Sequence, residues 1–266
     1  MASNSSSDPV LTSLDARGVV TVALNRPEVG NAYNGAMIQG LLAVMDALAR
    51  GPSPRALLLK GNGRHFQAGA DLAWIREVAR GTPAANAAAS RATAEAVDRL
   101  NRLPVPTVAL VQGGCFGGGT GMVAACDVVI AADNAVFSIA EVRWGLTAAI
   151  IIPQLADAIA VRQLRRYALT GERFDAEEAR RIGLVHRVAP LAGLEAAGEE
   201  TIASLLQNGP VAIAETKALA LQSAWAGFDA ATLDALIESH AAKRQTPEAA
   251  EGLASFADKR AARWSR

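Results

Sequence analysis

Apolar positions recur along this chain in two rhythms, short β-branched runs and longer stretches with helical spacing. Residues 10–25 read as strands, and 18–24 (GVVTVAL) is rich in β-branched side chains. Asn25-Arg26-Pro27-Glu28 ends that run as a turn. Between 33 and 49, Met37, Leu41, Val44, Met45 and Leu48 fall at helical spacing. Further apolar runs at 55–60 (RALLLK), 106–112 (PTVALVQ) and 127–132 (DVVIAA) predict buried strands. Helical segments separate them, which points to crossover β/α units. Residues 80–96, rich in Ala, Gly and Ser, read either as a mobile helix or as a loop over a site. Past residue 153 only 183–188 keeps a strand signal, whereas helical patterns cover 154–169, 176–182, 191–206, 210–224, 230–242 and 247–262. The expected organisation is a disordered segment at 1–9, an α/β core at 10–190 and a helical region at 191–266.

Composition narrows the function classes. An apolar fraction of 51% over 266 residues allows a sizeable core, and 20% charged residues is not a disordered composition. The 26 basic and 26 acidic residues cancel, so nothing points to nucleic-acid binding. Cys115 and Cys126 lack CxxC spacing and His65, His186 and His240 lie far apart, so neither a disulfide framework nor a local zinc site is indicated. The polar start MASNSSSDP lacks the parts of a signal peptide, and no apolar stretch approaches the ~20 residues of a membrane span. A cytoplasmic protein is expected.

Two glycine-bounded segments carry the candidate chemistry: residues 61–72 (GNGRHFQAGADL) and 113–127 (GGCFGGGTGMVAACD). Each follows an apolar run and leads into a helix-like stretch, as if two backbone N–H donors were aimed at one oxygen that becomes negative during a reaction. Gly69, flanked by Ala68 and Ala70, lets a ligand approach the chain, and Asp71 is placed to cap a helix starting at Leu72. An N–H at Ala70 then lies near a helix start. An ordinary strand-turn-helix junction reads equally well. The run Gly117-Gly118-Gly119 costs about 1 kcal/mol per glycine in a helix relative to Ala. A chain tolerates that where a backbone comes very close to something, either a ligand or a packed helix. No GxxxxGK[ST], GxGxxG or GxSxG pattern is present. Glu141, among Phe137, Ile139, Val142 and Trp144, is either a carboxyl with a raised pKa suited to proton transfer or an exposed partner of Arg143.

These residues, in this order, resemble the crotonase (enoyl-CoA hydratase/isomerase) superfamily. The resemblance runs through Leu24-Asn25-Arg26-Pro27-Glu28, Asn31-Ala32, Ala68-Gly69-Ala70-Asp71-Leu72, Gly117-Gly118-Gly119, Ala125-Cys126-Asp127, 137–145, 170–188 and 247–259. It implies an α/β fold, a spiral of ββα units with a C-terminal helical trimerisation region. It also implies an acyl-CoA thioester as substrate, coenzyme A as part of that substrate and not a prosthetic group, and a homotrimer or hexamer. By position, the backbone N–H groups of Ala70 and Gly118 would form the oxyanion hole and Glu141 would carry the proton. Ala68 would lie against the adenine end of coenzyme A, and Phe256 and Lys259 would meet the nucleotide, often from a neighbouring subunit. Arg26, Asp71, Leu72, Gly117 and Gly121 complete the binding set that the resemblance implies.

One departure matters. Hydratases of the two-glutamate type carry a carboxylate where Gly121 stands, and here only Glu141 is retained. The pattern is especially similar to bacterial methylglutaconyl-CoA hydratases, with isohexenylglutaconyl-CoA hydratases a close variant. Thr147-Ala148-Ala149 and Gln67 differ from that subgroup. The expectation is therefore reversible hydration of a branched, glutaconyl-type 2-enoyl-CoA by a single glutamate, with space at Gly121 for a water or a substituent. A double-bond isomerase and an acyl-CoA-binding homologue without turnover are the alternatives. Arg76, Arg80 and Arg143 are candidate partners for a negative substrate tail.

Overall fold

The computed structural model describes residues 5–51, 53–224 and 230–260. Residues 1–4 and 261–266, the ends of the expected disordered segment and helical region, lie outside them. Residues 5–8 make a turn, and Asn25 Nδ2 ties it down by donating to the carbonyl oxygens of Ser6 and Asp8.

Nine strands are described: β1 (Val10–Leu14), β2 (Val19–Leu24), β3 (Ala56–Gly61), β4 (Thr107–Val111), β5 (Gly114–Phe116), β6 (Val128–Ala132), β7 (Val136–Ser138), β8 (Phe174–Asp175) and β9 (Arg187–Ala189). A six-stranded sheet runs β1-β2-β3-β4-β6-β9, antiparallel only at β1-β2, and a second sheet runs β5-β7-β8. Two isolated parallel bridges, Tyr33 to Ala70 and Gln67 to Cys115, extend the second sheet to residues 33 and 67–70.

The helices are α1 (Gly35–Arg50), α2 (Leu72–Arg80), α3 (Pro83–Asn101), α4 (Gly118–Ala124), α5 (Ile152–Thr170), α6 (Ala176–Ile182), α7 (Leu194–Leu206), α8 (Pro210–Ala224), α9 (Ala230–Arg244) and α10 (Pro247–Ala257). Chain order now explains the architecture. β3 is followed by 67–70 and then α2-α3; β4 by β5 and α4; β6 by β7 and α5. Each turn lays one strand on the large sheet and one on the small sheet before a helix returns the chain. The result is the expected spiral of ββα units.

Local chemistry supports each element. Asn34 Oδ1 caps α1 by accepting from Met37 N–H, and Met37, Ile38, Leu41, Met45 and Leu48 bury one face. The Ala-rich segment over 80–96 falls mostly within α3, a 19-residue helix capped by Thr82 with Pro83 in its first turn. It is an ordered helix, not a loop. Of the strand signal at 183–188 only the end is realised, in β9 (Arg187–Ala189). The expected division at residue 190 precedes α7, whose Leu194, Ala197 and Ile202 pack on Val108, Leu110 and Ile130 of the large sheet. The last three described helices begin at Pro210, with α9 against α3 and α10 against the turn at Glu141–Trp144.

Candidate active site

The spiral brings three distant segments to one edge. Ala70 ends the small-sheet strand of the first turn, Gly117 follows β5 in the second, and Glu141 follows β7 in the third. These strands are parallel neighbours about 5 Å apart, so their carboxyl ends open on a common crevice. Ala70, Gly117, Gly118 and Glu141 all line that cleft, whose volume is about 690 Å³.

Two N–H groups at its floor have no acceptor among the described residues. The bridge to Tyr33 uses the Gly69 carbonyl and the Asp71 N–H, at 2.9 and 2.8 Å, which turns Ala70's own N–H to the other side. Asp71 fixes that turn. Its Oδ1 accepts from Ala73 and Trp74 N–H at the start of α2, and its Oδ2 accepts from Arg26 Nη2 at 3.0 Å. In the second segment Gly117 takes φ 51°, ψ −120°, a conformation that side chains disfavour, and donates its N–H to Ser138 O at 2.9 Å. The chain therefore turns sharply, and Gly118 N–H stands free at the first position of α4.

The glycine triplet is explained by close approach. A Cβ at Gly117 would stand 2.8 Å from Glu141 Oε1, one at Gly118 2.6 Å from Tyr33 Cε1, and one at Gly119 2.8 Å from Gln67 Oε1. The Glu141 carboxyl is buried beside the two free donors, and its Oε2 has no hydrogen-bond partner. Burial pushes its pKa up to about 7, while its own backbone N–H pulls slightly the other way. Tyr33 packs edge-on against Trp74. Burial first, and Glu141 second, raise the phenol to about 12. His240 is held neutral, its pKa lowered to about 3 by burial and by Arg244. Two uncommitted donors and a carboxyl that titrates near neutrality can hold an oxyanion and move a proton.

The enoyl-CoA hydratase/isomerase family matches residues 15–266. The chain belongs to this family. It is 34% identical over 203 residues to hydroxycinnamoyl-CoA hydratase-lyase of Pseudomonas fluorescens, covering 75% of this chain and 74% of the relative. Among solved structures, Pseudomonas aeruginosa AtuE shares 37% identity with a TM-score of 0.78, covering 97% of this chain and 100% of its own. An enoyl-CoA hydratase from Shewanella pealeana shares 36% identity with a TM-score of 0.78, at 96% coverage of each. The family acts on coenzyme A thioesters, and the spiral seen here is the crotonase fold.

Within this crotonase fold the remaining expected residues separate. Ala68, Asp71, Leu72 and Phe256 line the cleft, and Phe256 stands edge-on to Trp144 with ring centroids 4.4 Å apart. Arg26 braces the Ala70 loop through Asp71 and Ala32 O, one step behind the cleft wall. Lys259 is exposed just beyond α10 and does not line the cleft. Gly121 corrects an expectation. A Cβ there would lie 2.2 Å from Ile151 Cγ2, so Ile151 fills the space reserved for a water or a substituent. Among the expected cations, Arg76 donates to Leu253 O, Arg80 is exposed away from the cleft, and only Arg143 reaches its wall.

Several residues at this cleft were not among the expected site residues. Buried Gln67 accepts from Gly69 N–H at 3.2 Å and so stiffens the Ala70 loop. Thr147 lines the cleft with its Oγ1 buried and unpartnered. Arg244 and His240, on α9, form part of the same wall. The first two were visible as departures from the subgroup pattern. The α9 pair carried no local signal, because α9 reaches the site through remote packing, on α3 and on the turn at Ala149–Ile151.

Proposed function

We propose that this protein catalyses reversible hydration of a branched, glutaconyl-type 2-enoyl-CoA. The observation that carries the reading is the buried Glu141 carboxyl, poised near pH 7, beside the unpaired N–H groups of Ala70 and Gly118. The thioester oxygen accepts from both donors, which draws electron density out of the double bond. Glu141 takes a proton from water as the oxygen bonds to C3, and an enolate forms at the thioester. The same carboxyl returns the proton to C2, so one glutamate suffices and no net proton is exchanged. In reverse it removes the C2 proton and delivers it to the departing hydroxide.

Substrate branching is supported by a second, apolar cavity of about 40 Å³ lined by Val22, Ile38, Leu41, Met45, Leu57 and Met122. Tyr33, Gly118, Glu141 and His240 line both this cavity and the cleft. It exceeds the roughly 10–15 Å³ that a single water needs, so an apolar branch on the acyl chain has somewhere to go. The proposal includes a cytoplasmic trimer or hexamer. Such an assembly would cover Val161 and Leu169, which are 61% and 69% exposed on α5.

The test is incubation of methylglutaconyl-CoA, isohexenylglutaconyl-CoA and crotonyl-CoA side by side in water enriched in heavy oxygen. Hydration places the label in a hydroxyacyl-CoA, with a branched glutaconyl ester preferred over crotonyl-CoA. A shifted double bond without label establishes the isomerase alternative, since one base also moves a proton between carbons. Tight binding with no product from any ester establishes a binding protein.

A further inference from the structure

Among the described residues, Arg244 is the most deeply buried charged side chain. It is 2% exposed, and among the described residues no carboxylate pairs with it. Its Nη2 donates to Asn86 O at 3.0 Å and to Ser90 Oγ, tying α9 to α3. Its Nε has no acceptor among the described residues. Arginine is seldom fully buried without a counter-charge, and a buried donor without an acceptor carries a full desolvation cost. A clamp between two helices needs neither the charge nor the free Nε.

The position of Arg244 says what would complete it. It lines the cleft, one helical turn beyond His240, which lines both the cleft and the apolar cavity beside Glu141. Tyr33 stands against Gly118 and lies within electrostatic reach of both Glu141 and Arg244. Arg244 is therefore on the acyl side of the two free N–H donors. Ala68, at the opposite limb of the Ala70 loop, is the position that the resemblance gives to coenzyme A.

We infer that Arg244 is the specificity-determining residue that receives a carboxylate at the far end of the acyl chain, with Tyr33 and His240 flanking it. The inference deepens the glutaconyl reading and rests on it for the substrate class. The acyl carboxylate supplies the counter-charge that the buried guanidinium lacks, and a substrate without one leaves that charge unpaired.

Binding tests this without turnover. Saturated glutaryl-CoA, butyryl-CoA and the methyl ester of glutaryl-CoA are titrated calorimetrically into the full-length wild type, Arg244→Met and Arg244→Lys. Wild type is expected to favour glutaryl-CoA about 10-fold or more over the two neutral esters. Arg244→Met is expected to lose that preference, and Arg244→Lys to keep part of it. Equal wild-type affinity for the acid and its methyl ester overturns the inference even if Arg244→Met fails to fold. An equal loss for all three ligands in the variants also overturns it and leaves Arg244 as a helix clamp. Preference for glutaryl-CoA together with no labelled product in the heavy-oxygen experiment would sink the hydratase reading alone.

Discussion

Glu141→Gln is expected to lower kcat at least about 1000-fold while acyl-CoA binding changes no more than a few-fold. The amide keeps the shape of the carboxyl beside Gly117, so the floor of the cleft is preserved. It cannot accept the proton of water. Loss of enoyl-thioester absorbance measures turnover, and titration with a saturated ester measures binding. Wild-type-like turnover in this variant removes Glu141 from the mechanism.

The same substitution has a signed pH signature. In the wild type, hydration needs ionised Glu141 in the free enzyme, so kcat/KM should rise with pH through about 7 and then level off. Stability runs the other way. The folded-state pKa is raised from 4.5, so the folded protein binds the extra proton between 4.5 and about 7 and loses that advantage as pH rises. The shift corresponds to about 3 kcal/mol. Glu141→Gln, which has no charge to bury, should be more stable than wild type by up to that amount at pH 8–9, with the two converging near pH 4. Denaturant unfolding of both proteins across that range checks it. A wild type no less stable at pH 8 than the variant contradicts the buried-charge account.

How much of this was legible in the sequence depends on the kind of contact. The long buried strands β3, β4 and β6 announce themselves as runs such as ALLLK and VVIAA, because both faces of a central parallel strand are covered. The small sheet was invisible. β5, β7 and β8 have three, three and two residues, too short for any period to register. Yet that sheet is what aligns Ala70, Gly118 and Glu141. The motifs named residues that the fold gathers at one cleft, and the topology that unites them was carried by the resemblance, not by hydrophobic pattern.

Side chains whose role is set by remote packing were least legible. Asn31 holds φ 57° while its amide bonds Asn62 O, His65 O and Arg26 N–H, a knot of segments that no local rule would assemble. Arg244 carries no local signal in the sequence, because its burial comes from the packing of α9 on α3. Gly121 illustrates the converse. The sequence showed that a carboxylate was missing, and it could not show that another residue had filled the gap.

Gly121→Ala is expected to destabilise the protein by about 2 kcal/mol, despite placing the best helix former in α4. Helix propensity alone favours alanine over glycine by about 1 kcal/mol. Against it stands the added methyl, 2.2 Å from Ile151 Cγ2 and 2.6 Å from Ile151 Cβ. Ile151 is itself buried in the turn before α5, and its Cβ moves only with the backbone, so a change of rotamer cannot relieve the contact; overpacking of this kind costs about 1–3 kcal/mol or more. For a chain of this length the net loss lowers Tm by roughly 6 °C. In an Ile151→Ala background the closest contact is gone, so the added cost of Gly121→Ala should fall by about 1 kcal/mol, a coupling that a double-mutant cycle reads directly. The same geometry says that Gly121→Glu cannot install a second carboxylate in the cleft unless Ile151 is displaced. A neutral Gly121→Ala would mean that Ile151 yields easily, and that the position is after all open to a water or a substrate branch.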